Sequence, residues 1–375
     1  MDTTHRIVVG DSRNLRTIGD DEVELVVTSP PYPMIEMWDD LFTSLNDEIG
    51  AALEAGDGSR AFDLMHEELE TVWAELERVL VDGGIACINV GDATRTIGDG
   101  FRVYQNHARV VDAFDDLGFD PLPEILWRKP TNSAAKFMGS GMLPPNAYAT
   151  LEHEYVLPFR NGGGRRSFPA GSERRYESAY FWEERNEWFS DVWTDVRGTL
   201  QELEGGDGDL RERSAAYPLE IPYRLVNMYS VYGDTVLDPF WGTGTTTLAA
   251  MIAGRNSIGY ELDGEFRSVF ETRVADVEAA ADRIAAERLV RHEEFVSARL
   301  ANGGEFGYRA ENYDVPVTTK QETRLQFYTV DRVEETDDGY ALQHGPYDGP
   351  DLGSLDRCGK QADGPEQSTL EDGFE

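Results

Sequence analysis

Val236-Leu237-Asp238-Pro239-Phe240-Trp241-Gly242-Thr243-Gly244-Thr245-Thr246 is a short apolar run that breaks into a Gly-x-Gly loop and then into helix-compatible residues. Strand, glycine turn and helix in that order make half of a βα unit, and the glycines let a backbone approach a ligand closely. No glycine stands three residues after Gly244, so the dinucleotide fingerprint is incomplete; no lysine follows, so this is not a P-loop. Taken alone, such a loop is also the signature of a plain tight turn. About twenty residues further on, Ile258-Gly259-Tyr260-Glu261 ends the next apolar run on a carboxylate, placed to accept hydrogen bonds from two ribose hydroxyls. With no cluster of cations for phosphates, a nucleoside without phosphate suits the loop, and S-adenosyl-L-methionine is one. Asp238, Pro239, Phe240, Gly242, Gly244, Thr245 and Glu261 are the expected cofactor-binding residues here.

The same rhythm extends outward. Apolar runs at 7–9, 23–28, 85–90, 124–127, 154–159, 235–237 and 257–261 read as strands. Segments 35–80, 103–117, 219–229, 245–253 and 265–289 read as helices. Beyond residue 301 the rhythm fades, with one further candidate strand at 324–330. Alternation of this kind implies an α/β fold with a mostly parallel sheet, covered on both faces, whose ligands bind past the carboxyl ends of strands. A second distinctive peptide, Thr28-Ser29-Pro30-Pro31-Tyr32, sits at such an end. Its prolines stop the strand and fix a tight turn. That turn holds a hydroxyl, an unpaired carbonyl and an aromatic ring in one arrangement. Ser29 oxygen and the Pro30 carbonyl can accept both N–H bonds of a base amino group while Tyr32 stacks on the base. Such chemistry needs neither a metal nor a covalent intermediate, because positioning supplies much of the rate. The bland reading of the peptide is a structural proline turn.

Several motifs in one order resemble the DNA methyltransferases that act on exocyclic amino groups, the N4-cytosine/N6-adenine family. The motif order is that of the β class, in which the catalytic peptide precedes the cofactor loop. The resemblance covers roughly residues 7–270. Gly10-Asp11 matches the acid near the cofactor adenine, which adds Asp11 to the cofactor set. Ser29-Pro30-Pro31-Tyr32 matches the catalytic tetrapeptide. Leu80-Val81-Asp82-Gly83-Gly84 with Asn89-Val90-Gly91-Asp92 matches the following strand. Ile125-Leu126-Trp127-Arg128-Lys129-Pro130 and His153-Glu154-Tyr155-Val156-Leu157 match the segments that flank target recognition. Tyr217-Pro218 through Leu225 resembles the helix over the cofactor, and Gly233-Asp234-Thr235 leads into the loop.

The resemblance implies a circularly permuted, Rossmann-like methyltransferase fold with a mostly parallel seven-strand sheet, one strand antiparallel. It also implies S-adenosyl-L-methionine as cofactor, double-stranded DNA as partner, and base flipping. The expected division is a catalytic domain at 1–130 and 214–295, a target-recognition region at 131–213 that includes one core strand near 154–159, and an acidic accessory or partly disordered region at 296–375. Ser before Pro-Pro-Tyr leans towards cytosine N4, with adenine N6 as the alternative. The chain is similar to haloarchaeal methylases that modify cytosine in CTAG. Protein-glutamine and RNA methyltransferases commonly carry Asn-Pro-Pro-Tyr after the cofactor loop, an order this chain does not have. A cognate restriction endonuclease is a further partner the family allows. Two departures stand out: Arg213-Ser214-Ala215 occupies the place of a frequent His-Pro-Ala, and Trp241 replaces a small residue before the first loop glycine.

Net charge is −37, with only four lysines: Lys129, Lys136, Lys320 and Lys360. Acidity with arginine favoured over lysine fits a salt-loving archaeon. Phosphate is itself an anion, so DNA needs a less acidic place to dock. Residues 124–198 carry ten acidic and ten basic side chains, and the acidic excess lies elsewhere. Arg128, Lys129, Arg165, Arg166, Arg174 and Arg175, mixed with Phe168, Tyr176, Phe181 and Trp182, are the expected DNA-binding set. Two cysteines, Cys87 and Cys358, give no disulfide framework or Cys-based metal site, and no metal is expected. No run of about 18 apolar residues and no signal-peptide pattern occurs, so a cytoplasmic protein is expected.

Overall fold

The computed structural model describes residues 1–98, 100–129, 138–139, 142–196 and 217–349. Ten strands carry the main sheet: β1 Asp2–Val9, β2 Val23–Thr28, β3 Leu80–Val90, β4 Ile125–Arg128, β5 His153–Arg160, β6 Val192–Trp193, β7 Thr235–Asp238, β8 Asn256–Glu261, β9 Tyr328–Thr336 and β10 Gly339–Pro346. Their order is β6-β4-β5-β3-β2-β7-β8-β1-β10-β9, and Asp120–Pro121 adds a short antiparallel piece against β5. Within it, β4-β5-β3-β2-β7-β8-β1 form the expected seven strands. All run parallel except β5, which is antiparallel to both β3 and β4. Placing β1 beside β8 closes a sheet edge with strands about 250 residues apart in the chain, which is the permuted connectivity.

Strand residues alternate between two cores, as a period of two requires. Leu25, Val27, Ile85 and Cys87 face one cluster; Val23, Val26, Ala86 and Ile88 face the other. The second face is covered by α1 Asp39–Leu45, α2 Asp47–Glu54, α3 Gly58–Val79 and α4 Asn106–Asp116. Two short helices of the insert follow, α5 Glu173–Glu177 and α6 Trp182–Trp188. The first face is covered by α7 Glu220–Tyr229, α8 Thr245–Ile252, α9 Phe266–Val274 and α10 Val277–Ala301. The single helix expected over 265–289 is therefore two, broken at Ala275-Asp276 and running on to Ala301.

The greatest departure from expectation lies beyond residue 301. The candidate strand at 324–330 forms only in its last residues: Leu325 and Phe327 are instead buried against α10 with Phe181, Leu289 and Tyr313. The strand starts at Tyr328. It turns through Asp337-Asp338 into β10, which pairs antiparallel with β1. Composition concealed this hairpin: the outward residues of β9 are mostly charged, those of β10 are small or polar, and the inward apolar ones, such as Val330 and Leu342, are few. Residues 197–216 and 350–375, including Arg213-Ser214-Ala215 and Cys358, lie outside the described residues.

Candidate active site

β2 and β7 are hydrogen-bonded neighbours, Val236 opposite Leu25 and Leu237 opposite Val26. Their carboxyl ends therefore emerge side by side, so the Ser-Pro-Pro-Tyr turn and the glycine loop open into one cavity of about 540 Å³. Asp11 lines it from the end of β1, Ser29, Pro30, Pro31 and Tyr32 from β2, and Glu261 from β8. Asp238, Pro239, Phe240, Gly242 and Thr245 line it from β7 and the loop. Gly244 does not. It sits at φ +74 as the N-cap of α8, and a Cβ there would meet Phe270, so it shapes the turn.

Hydrogen bonds hold the two peptides together. Asp238 accepts from Thr28 Oγ1 at 2.6 Å and from the Phe240 amide at 3.1 Å, tying the catalytic strand to the loop. Burial pushes its carboxyl up to about 6, against those bonds, which favour the charged form. Glu261 accepts from the Gly242 amide at 2.8 Å and the Asp263 amide at 3.0 Å, and burial raises its pKa. Asp11 is bridged by Arg13 at 2.7 Å, and Arg13 also reaches Glu68. Burial opposes ionisation of Asp11, yet the Arg13 bonds leave its pKa below the usual value. Trp241 lines the cavity and also packs against its neighbours. It is buried over Gly259, where a Cβ would strike its ring, and donates from Nε1 to Thr247 Oγ1.

Beside the turn, Tyr32 OH lies 3.0 Å from Ser29 Oγ and donates to Glu154 Oε2 at 3.0 Å. Asn89 Nδ2 reaches both Tyr32 OH and Glu154 Oε2, and Lys129 Nζ pairs with Glu154 Oε1 at 2.8 Å. Under the loop, Arg273 donates to the Thr243 carbonyl and to the hydroxyls of Thr243 and Thr245, and burial pulls its pKa down to about 10. Asn89, Glu154 and Arg273 were not singled out from sequence. A polar residue inside each apolar strand, Ile88-Asn89-Val90 and His153-Glu154-Tyr155, was the available signal. Arg273 offered none, being one arginine among many on a helix.

The expected DNA-binding set divides. Arg128 and Lys129 stand at the carboxyl end of β4, on the cavity side of the sheet. Arg166 and Arg174 do not: both pair with buried Asp234, at 2.6 and 2.7 Å, immediately before β7 begins and hence at the opposite, amino end. Arg165 and Arg175 are exposed on that same end, Arg175 lying over the Phe168 ring. Phe181 is core, stacked on His292. Much of the local neutrality of the insert thus comes from arginines matched to carboxylates within the fold, with Arg160 on Asp120 as a further case.

Six carboxylates (Asp11, Asp40, Glu68, Asp238, Glu261 and Asp263) line the cavity, against Arg13 as its cationic lining residue. A phosphate would be repelled there; a nucleoside bearing a sulfonium and an ammonium is attracted. The apolar wall of Pro239, Phe240, Leu262 and Phe266 suits a purine. The site thus defines a binder of S-adenosyl-L-methionine.

A family model for DNA methylases of the N6/N4 group matches residues 23–272. The chain is 54% identical over 331 residues to the Type II methyltransferase M.MthZI of Methanothermobacter thermautotrophicus, covering 88% of this chain and 91% of that protein. It is 48% identical over 283 residues to M.MjaI of Methanocaldococcus jannaschii, covering 72% and 91%. Among solved structures, the Thermus thermophilus protein TTHA0409 complexed with S-adenosyl-L-methionine superposes with TM-score 0.57 at 32% identity, over 73% of this chain and 94% of that one. The chain belongs to the N6/N4 DNA methylase family, and S-adenosyl-L-methionine is its methyl donor. Among the described residues no helix is long and apolar enough to cross a membrane.

Proposed function

We propose that this protein is a Type II site-specific methyltransferase that methylates the exocyclic N4 of cytosine in duplex DNA, with CTAG as its site and a restriction endonuclease as its biological counterpart. The observation that carries the reading is Ser29, held on the Pro30-Pro31 turn at the mouth of the cavity that Glu261 also lines. S-adenosyl-L-methionine supplies an electrophilic methyl group when bound. The target base leaves the stack and enters beside Tyr32, because its amino group cannot reach the cavity from within a duplex. Ser29 Oγ and the Pro30 carbonyl accept the two amino protons and favour a tetrahedral, nucleophilic nitrogen. Glu261 accepts from ribose hydroxyls, and Asp11 lies near the adenine. Arg128 and Lys129 face the phosphates. The acidic surface and low lysine content make this a protein for concentrated salt, which screens repulsion from DNA.

Expression in a methylation-free host, followed by digestion of its DNA to nucleosides and mass spectrometry, tests the proposal. N4-methylcytosine is the expected product, lost with Ser29→Ala while cofactor affinity persists. N6-methyladenine would transfer the reading to adenine, for which the same turn serves. Neither mark, from folded protein assayed in high salt, would overturn it.

A further inference from the structure

Hydrogen-bond direction around Tyr32 is fully determined by its neighbours. Glu154 is 8% exposed and gathers three donors: Lys129 Nζ on Oε1 at 2.8 Å, and Asn89 Nδ2 and Tyr32 OH on Oε2 at 2.8 and 3.0 Å. A carboxylate has acceptors only, so it satisfies all three, and the phenol proton is committed to it. Burial and the Glu154 charge both hold that phenol protonated. Asn89 Nδ2 places its other proton on Tyr32 oxygen at 2.9 Å, its first being on Glu154. The amide cannot be reversed, because its oxygen would then face the carboxylate. Tyr32 oxygen thus donates one bond, accepts one from Asn89, and has one lone pair left. Ser29 Oγ, 3.0 Å away, must be the donor to it. With its only proton turned to Tyr32, Ser29 presents lone pairs alone.

We propose that Glu154 is a positioning residue which, through Tyr32 and with Asn89, orients the Ser29 hydroxyl so that its oxygen is a committed acceptor for the amino group of the target base. The inference rests on the reading of Ser29 above. Glu154 itself touches no substrate: Tyr32 and Ser29 line the cavity, whereas Glu154 and Asn89 lie behind them. A freely rotating serine hydroxyl is as ready to donate as to accept. Here it is set before the base arrives, which is the preorganisation that makes polar groups effective in catalysis.

Glu154→Gln reverses the relay. Its amide donates to Tyr32 oxygen, the phenol proton turns to Ser29, and the displaced Ser29 proton is left to point at the base amino group, where a donor meets donors. Single-turnover transfer of labelled methyl groups to unmethylated bacterial DNA should fall about 100-fold, the scale of one lost preorganised contact. The Kd for S-adenosyl-L-methionine, read by calorimetry, and the KM for DNA should change by less than about threefold. Tyr32→Phe keeps the stacking ring but removes the wrong donor. The double variant Glu154→Gln/Tyr32→Phe should therefore run about tenfold faster than Glu154→Gln, a non-additivity that a scaffold role would not produce. If Glu154→Gln alone does not fold, adding it to Tyr32→Phe carries the test: a further loss below about threefold supports the relay, and one above about tenfold overturns it. The relay also falls if Glu154→Gln retains wild-type rate, or if the double variant is no faster than Glu154→Gln. Retention of full activity by Ser29→Ala would instead remove the underlying reading of the base site, so the two failures are distinguishable.

Discussion

Glu261 and Ser29 divide the cavity between them, and each is replaceable without touching the other. Glu261→Ala removes an acceptor that also fixes the Gly242 amide. Charge-assisted bonds of this kind contribute about 1.5–3 kcal/mol each, so the Kd for S-adenosyl-L-methionine should weaken about 10- to 100-fold. Calorimetry checks this, and an unchanged Kd would contradict the assigned role. The lining residues at strand ends were legible from sequence because strand ends and proline or glycine turns are written locally; those from the helical side, such as Trp38, Leu41 and Glu68, were not. Nor were Glu154, Asn89 and Arg273. Their roles depend on which strands become neighbours, and β5 reaches β3 only through the insert. The reverse error has the same origin. Arg166 and Arg174 look like a nucleic-acid patch in a linear string, yet the chain carries them to the amino end of the sheet and to Asp234.

At the scale of elements, two joints are under strain or charge. Gly244 combines φ +74 with direct contact on Phe270, where α8 begins and α9 crosses. Gly244→Ala should cost about 2–4 kcal/mol, left-handed strain added to overpacking, and lower the melting temperature. The other joint is the amino end of β7, where Asp234 holds the insert to the sheet. Asp234→Ala strands Arg166 and also frees the Val231 amide; with Arg174 half in solvent, a loss of about 3 kcal/mol is expected. Arg166→Ala should likewise lower thermal stability without altering the salt dependence of DNA binding. A fall of about one in the log–log salt slope would return that arginine to a phosphate. The strand pattern of the catalytic half was readable because buried parallel strands are almost wholly apolar. The β9–β10 hairpin was hidden, since only its inner face needs apolar residues.

Over the whole molecule, charge and burial pull in opposite directions as conditions change. With a net charge of −37, unfolding temperature should rise as KCl goes from about 0.1 M to about 2 M, because screening relieves self-repulsion. Differential scanning calorimetry reads it directly. Three histidines are buried in neutral form: His5 at about 3, His66 at about 4 and His344 at about 4, each lowered first by desolvation. Their folded values lie below the unfolded 6.5, so the stability they contribute is complete above pH 6.5. It is lost as the unfolded chain takes up protons between about pH 6.5 and about pH 4. Asp238 works in the opposite direction, and so, through smaller shifts, do Glu24, Glu70, Glu187 and Glu261, raised by burial, and His107, raised by Asp92. In high salt each histidine should therefore lower the unfolding free energy, read from urea titrations, by on the order of 1–2 kcal/mol between about pH 7 and about pH 5.

The position of β1 carries a further consequence. Among the described residues, 2–9 pair only with residues 257–261 and 339–343. On a ribosome adding about 5–20 residues per second, β1 waits on the order of tens of seconds for either neighbour. Through that interval a strand with open hydrogen-bonding groups is free to find another nascent chain. The permutation that brings the catalytic turn early in the message thus delays completion of the sheet until β8 and β10 have been made, and slower elongation should lower the yield of folded enzyme.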